Sequence, residues 1–431
     1  MTAAIIAFAI LFVMLFVGIP LVFGLGIVGF GGFALMTGPS PAAALSANVA
    51  WDTLTNYSLS VLPLFLLMGN LVNHAGLSRE LYEASNAFVG HRKGGLAIAT
   101  IIACGGFSAV CGSSLATAAT MARIAIPSMR EYGYSKELSA GAVAAGGTLG
   151  ILIPPSAIMV IYGGLTGTGI GKLFIAGVLP GILGVVLYIA AVTVYLAIRP
   201  GSARAFPAVP WRERFRAFAK VWIVLALFVF VIGGIYVGVF TATEAAGIGA
   251  AGAFLIAALR RTLTLRDVFT IFRDTAYTTA VLMCVLVGAM IFSAFVNIAG
   301  IPQATVQAIN ALDASPTQVI LLLLVFYLVL GAVFDSMAMV LLTVPVFFPL
   351  IQSIGIDPVW FGVFVVVCVE IALITPPIGM NLFIIRTVTG DSGLKTMFGG
   401  IAPFIVADLV RLALIVLFPA IVLILPATMA Q

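Results

Sequence analysis

Two dipeptides carry chemistry most plainly, Pro154-Pro155 in Ile151-Leu152-Ile153-Pro154-Pro155 and Pro376-Pro377 in Leu373-Ile374-Thr375-Pro376-Pro377. Each lies inside an apolar run. Consecutive prolines remove two amide donors and free upstream carbonyls from helix bonding. In lipid those carbonyls need partners, and a sodium ion is a good one. For one pair alone, a kink relieved by water or a neighbouring hydroxyl is the simpler reading. Two pairs at corresponding positions, each facing a polar turn, favour ion coordination.

The first polar turn offers Ser108, Gly112, Ser113, Ser114 and Thr117. Hydroxyl and carbonyl oxygens are hard ligands and suit a hard cation. The second offers Asp335 and Ser336 within the apolar run Tyr327–Val346, where a charge is costly and marks function by default. Its bland alternative is a turn exposed to water. The candidate ion ligands are therefore Gly112, Ser113, Ser114, Ile153 and Pro154 at one site, and Asp335, Ser336, Ile374 and Thr375 at the other. Ser108, Ser113, Asp335, Pro155, Pro377, Asn381 and Arg386 are candidates for the solute. Arg386 either binds an anionic solute or snorkels to the membrane interface. Glu244 and Glu370 are further acids in apolar surroundings, and Asp408 with Arg411 forms an i, i+3 pair. No catalytic residue is assigned, and no cofactor beyond sodium as a coupling ion.

These residues need a lipid-embedded scaffold. The chain has 431 residues, 62% hydrophobic and only 8% charged, with a mean hydropathy of +1.24. Soluble domains carry about a quarter charged residues, so most of this surface must face lipid. The net charge of +5 comes from basic residues dispersed between apolar runs, which excludes a nucleic-acid patch. Residues 1–36 contain no Lys or Arg, so no basic start of a cleavable signal is present. Cys104, Cys111, Cys284 and Cys368 lack metal-like spacing and read as packing residues.

Apolar segments at 4–18, 20–36, 59–75, 137–163, 173–198, 221–237, 240–259, 276–299, 358–386 and 400–425 read as ten spans, with 95–129 and 317–350 as re-entrant hairpins. With the N-terminus outside, every Lys and Arg except Lys172 and Arg411 falls in a cytoplasmic segment. The positive-inside rule thus selects both termini on the periplasmic side. Pro127 and Pro349, Gly133 and Gly355, and Pro154 and Pro376 are each 222 positions apart. An internal repeat follows. Residues 1–198 form the first repeat, with hairpin 95–129 and broken helix 137–163. A basic cytoplasmic linker, 199–220, leads to the second repeat, 221–431, with hairpin 317–350 and broken helix 358–386. Five spans per repeat is odd, so the repeats lie inverted in the membrane, an organisation typical of secondary transporters.

The segments Gly105–Ser114, Gly150–Ser156, Thr241–Ala246 and Ile374–Gly379 resemble the large membrane subunit of tripartite ATP-independent periplasmic (TRAP) transporters, over essentially the whole chain. Where the family pattern often has Pro, this chain has Ala242. The resemblance implies an all-α, elevator-type, sodium-driven importer of an organic anion such as a dicarboxylate or sugar acid, in a bacterial inner membrane. It also implies two partners, a small four-helix membrane subunit, encoded separately here, and a periplasmic substrate-binding protein. The rivals are a stand-alone ion-coupled carboxylate carrier, an intramembrane aspartyl protease using Asp335 with Glu370 or Glu244, and a channel. The protease lacks a matched motif, and neither it nor the channel explains the repeat.

Overall fold

The computed structural model describes residues 2–331, 333–390 and 393–430. All regular structure among them is helical, as expected where lipid leaves backbone groups no solvent partner. Five helices are long and apolar enough to cross a bilayer unaided, and two bent pairs, Pro39–Leu54 with Tyr57–His74 and Ala402–Leu417 with Ala420–Thr428, raise that to seven. Several segments read as spans, Leu21–Thr37 among them, are helices of 17 residues or fewer. One arm of the second hairpin, Ser336–Ser353, is by contrast among the five.

The hairpins are helix pairs, Gly95–Cys111 with Ser114–Glu131, and Pro316–Gly331 with Ser336–Ser353. Each broken helix is interrupted at its Pro-Pro pair: Lys136–Thr148 and a 3-10 turn at Leu149–Ile151 precede Ala157–Thr166, and Pro358–Ile374 precedes Met380–Thr389. Local geometry recurs at the sequence offset. Gly133 and Gly355 both turn the chain at positive φ, and both Pro-Pro bonds are cis. Ser135 and Asp357 cap the helices that follow.

Several elements differ from the sequence reading, three of them for a local reason. Pro39–Leu54 is a helix where no segment was expected, because Pro39 starts it at a position that loses no hydrogen bond. The helix expected over 221–237 begins at Trp211, so half of the linker is helical; Pro210 disfavours the helical conformation at Val209 and so stops it extending further back. Thr264 caps a helix that runs from Leu265 to Ile298, well ahead of the expected start at 276.

The basic segments gather on one face. There Arg260 pairs with Glu80, Lys220 with Glu83 and His74 with Asp267. The Ser135 amide donates to Ser202 and that of Phe206 to Gly90. The base of the first hairpin belongs to this face. Near the base of the second hairpin, Tyr162 donates to the Pro358 carbonyl at 2.6 Å.

Candidate functional site

The tip of the first hairpin is Gly112-Ser113, seated against the first break. Gly112 has φ +65, and a Cβ there would lie 2.6 Å from the Pro155 carbonyl oxygen. A Cβ on Gly150 would lie 2.7 Å from the Ser113 carbonyl oxygen. Tip and break therefore meet backbone to backbone, an approach that only glycine permits.

Four helix ends converge there. Gly95–Cys111 and the turn Leu149–Ile151 bring their carbonyl ends, while Ser114–Glu131 and Ala157–Thr166 bring their amide ends. Ser113 caps one amide end through Ala116, and Ser156 caps the other through Met159. Carbonyl ends favour a cation and amide ends an anion. A small adjoining cleft is lined by Leu62, Phe65, Cys111, Gly112, Pro155 and Ser156. Ser108, wholly buried, has a hydroxyl without a partner among the described residues.

The same tip reaches the second broken helix. Asn381 donates to the Ser114 hydroxyl at 3.0 Å and to the Ala144 carbonyl at 2.9 Å. Both Ser114 and Asn381 are buried. Ser114–Glu131 packs on Met380–Thr389, and Ser336–Ser353 packs on Ala157–Thr166, so each hairpin touches the segment after the break in the other half of the chain.

The second site is more open. Ile374 is buried, Thr375 half-buried, and Pro376 and Pro377 exposed, whereas Pro154 and Pro155 are buried with Ile153 half-buried beside them. Thr375 donates its hydroxyl to Ile371 at 2.5 Å. Asp335 is exposed and Ser336 half-buried. Asp335 accepts from the Ala338 amide at 2.7 Å and lies in a cleft with Leu15, Phe16, Ile19 and Phe334. Among the described residues, no hydrogen bond joins Asp335 or Ser336 to Ile374 or Thr375. Arg386 is exposed, and Glu244 accepts from the Thr241 amide in a capping box.

Glu370, Asp408 and Arg411 come together, all fully buried. Arg411 Nη2 lies 2.5 Å from Glu370 and 2.6 Å from Asp408. Tyr188 donates to Asp408 at 2.8 Å, and Thr148 is 3.0 Å from the Tyr188 hydroxyl. The sequence reading paired Asp408 with Arg411 and noted Glu370 separately, but it did not bring Glu370 to the pair and missed Tyr188 and Thr148. One signal was available: Thr148 and Glu370 are themselves 222 positions apart.

Residues 8–421 match the model of the tripartite ATP-independent periplasmic transporter, DctM component. The chain belongs to this family. It is 39% identical to a C4-dicarboxylate TRAP transporter large permease protein of Pseudomonas aeruginosa, over 91% of each chain. It is 34% identical to a sialic acid TRAP transporter large permease protein of Vibrio cholerae, over 96% of each. Among solved structures, the fold is similar to MtrF of Neisseria gonorrhoeae, with a TM-score of 0.64, 12% identity, and coverage of 89% of this chain and 85% of that one. As a TRAP large permease subunit the chain is a transporter component and not an enzyme, which sets the aspartyl-protease reading aside.

Proposed function

We propose that this TRAP permease subunit imports a small organic anion across the bacterial inner membrane, driven by sodium. The observation that carries the reading is the seat of Gly112-Ser113 on Pro155. That junction sets two carbonyl helix ends beside two amide ends, so that a cation and a carboxylate can bind as neighbours. Gly112, Ser113, Ser114, Ile153 and Pro154 would hold one sodium ion. Ile374 and Thr375 would hold a second, completed by Asp335 and Ser336 when the second hairpin closes. Ser108, Ser113, Pro155, Pro377, Asn381, Asp335 and Arg386 would face the solute.

An anionic solute is supported by the two relatives, named for C4-dicarboxylate and sialic acid. A tripartite family also supports a small membrane subunit and a periplasmic binding protein as partners. The repeats are proposed to be inverted. In support, the first hairpin's base shares a face with Arg260 and Lys220, whereas the second hairpin's base bonds to Tyr162. The positive-inside rule then sets the Arg260 face toward the cytoplasm and both termini outside. The hairpins and broken helices would form the moving part of an elevator.

Uptake into proteoliposomes holding the complete complex tests the reading. Uptake should require sodium. Equal uptake driven by a proton gradient without sodium would overturn it, and robust uptake by this chain alone would favour a stand-alone carrier.

A further inference from the structure

We propose that the buried network Thr148–Tyr188–Asp408–Arg411–Glu370 is a positioning device that sets the two Pro-Pro breaks in register with each other. Thr148 closes the helix before the first break, and Glu370 lies in the helix before the second. Each stands six positions ahead of its first proline, so the two are equivalent positions of the repeat. Tyr188 and Asp408, 220 positions apart, lie on the helices that follow the two broken helices, Ile170–Ile198 and Ala402–Leu417. The network thus joins two nearly equivalent pairs across the centre of the protein.

Its chemistry does not look like a stability device. Two carboxylates share a single nitrogen of one guanidinium. Glu370 Oε1, Arg411 Nε and Arg411 Nη1 have no partner among the described residues. Buried ion pairs are weak contributors to net stability, and their best-attested use is to fix register. The backbone makes room for this one: a Cβ on Gly184 would lie 2.4 Å from Arg411 Nη1. The partners are also spread over four helices, so neither break can shift along its axis without stretching a bond made by its own Thr148 or Glu370. Binding at one break then alters the other through a shared rigid element, which is a coupling free energy between sites. None of the five residues is placed in the ion or solute sites.

This inference rests on the sodium-coupled reading for its transport readout, so the test adds one that does not. Sodium titration of uptake by the assembled complex compares wild type with Thr148→Val, Glu370→Gln, Arg411→Met and Arg411→Lys. Thr148→Val and Glu370→Gln should raise the half-saturating sodium concentration by about fivefold or more and flatten the sodium dependence. Because Arg411 uses one nitrogen for both bonds, Arg411→Lys should restore most of what Arg411→Met loses. In parallel, spin labels at Gly169→Cys and Thr387→Cys, with the four native cysteines replaced, report the distance between the two segments after the breaks. Without sodium or solute, that distance distribution should broaden in Thr148→Val and Glu370→Gln. If Glu370→Gln does not fold, Thr148→Val, which removes one hydroxyl, carries the test. Unchanged sodium dependence and unchanged distances in a folded variant would overturn the proposal. A wild-type complex indifferent to sodium would overturn the proposed function instead, leaving the distance measurement to decide this one.

Discussion

Ser114 and Asn381, 267 positions apart in the chain, hydrogen-bond to each other where the first hairpin's tip meets the second broken helix. Replacing either with Ala leaves the other's polar group buried and short of a partner, which costs about 1–3 kcal/mol. The double variant should lose less than the sum of the singles, with an interaction of about 0.5–3 kcal/mol. Thermal unfolding in detergent of the four proteins checks this. Strict additivity would mean that the contact carries no energy.

Gly112→Ala combines a strained φ with a clash on Pro155. Gly167 has a similar φ of +69 but nothing near its missing Cβ, so Gly167→Ala isolates the backbone strain, about 1–2 kcal/mol. Solute uptake should fall at least about tenfold further in Gly112→Ala than in Gly167→Ala, since about 1.4 kcal/mol of extra clash is enough for that. Equal effects would show that the tip does not need its seat on the break.

Arg411→Met leaves two buried carboxylates sharing no cation. Breaking a buried pair from one side costs about 3–5 kcal/mol, so the melting temperature should drop well below that of the wild type. A melting temperature equal to wild type would contradict the burial of this cluster.

Asp335 caps its own helix, and its charge is proposed to complete a sodium site. Asp335→Ser keeps a capping oxygen and removes the charge. It should leave stability near wild type while raising the sodium concentration needed for half-maximal uptake. An unchanged sodium requirement would assign Asp335 to capping alone.

Glu131 and Leu312 are exposed near the bases of the two hairpins. Single cysteines there, with the native cysteines replaced, should react from opposite sides with an impermeant thiol reagent. In cells with a permeabilised outer membrane, Leu312→Cys should label at once and Glu131→Cys only after the inner membrane is opened. Labelling of both from the periplasm would remove the inverted arrangement.

Composition and local motifs alone mark a lipid-embedded helical protein with two Pro-Pro interruptions and residues that recur at an offset of 222. Those features are local: apolar composition, missing amides and glycine turns act wherever the chain runs. The sequence also singled out Ser114, Asn381, Glu370, Asp408 and Arg411, because polar groups are costly in apolar runs. Which of them meet depends on how the helices pack. Spacing puts Arg411 one turn from Asp408, but the rotation of three packed helices brings Glu370 and Tyr188 to the same pair. Packing likewise buries Pro154-Pro155 beneath a hairpin tip and leaves Pro376-Pro377 exposed, although the two motifs are nearly the same in sequence. A proline pair dictates that a helix breaks; what covers the break depends on contacts from distant segments, whose approach is set by side-chain packing across the whole molecule.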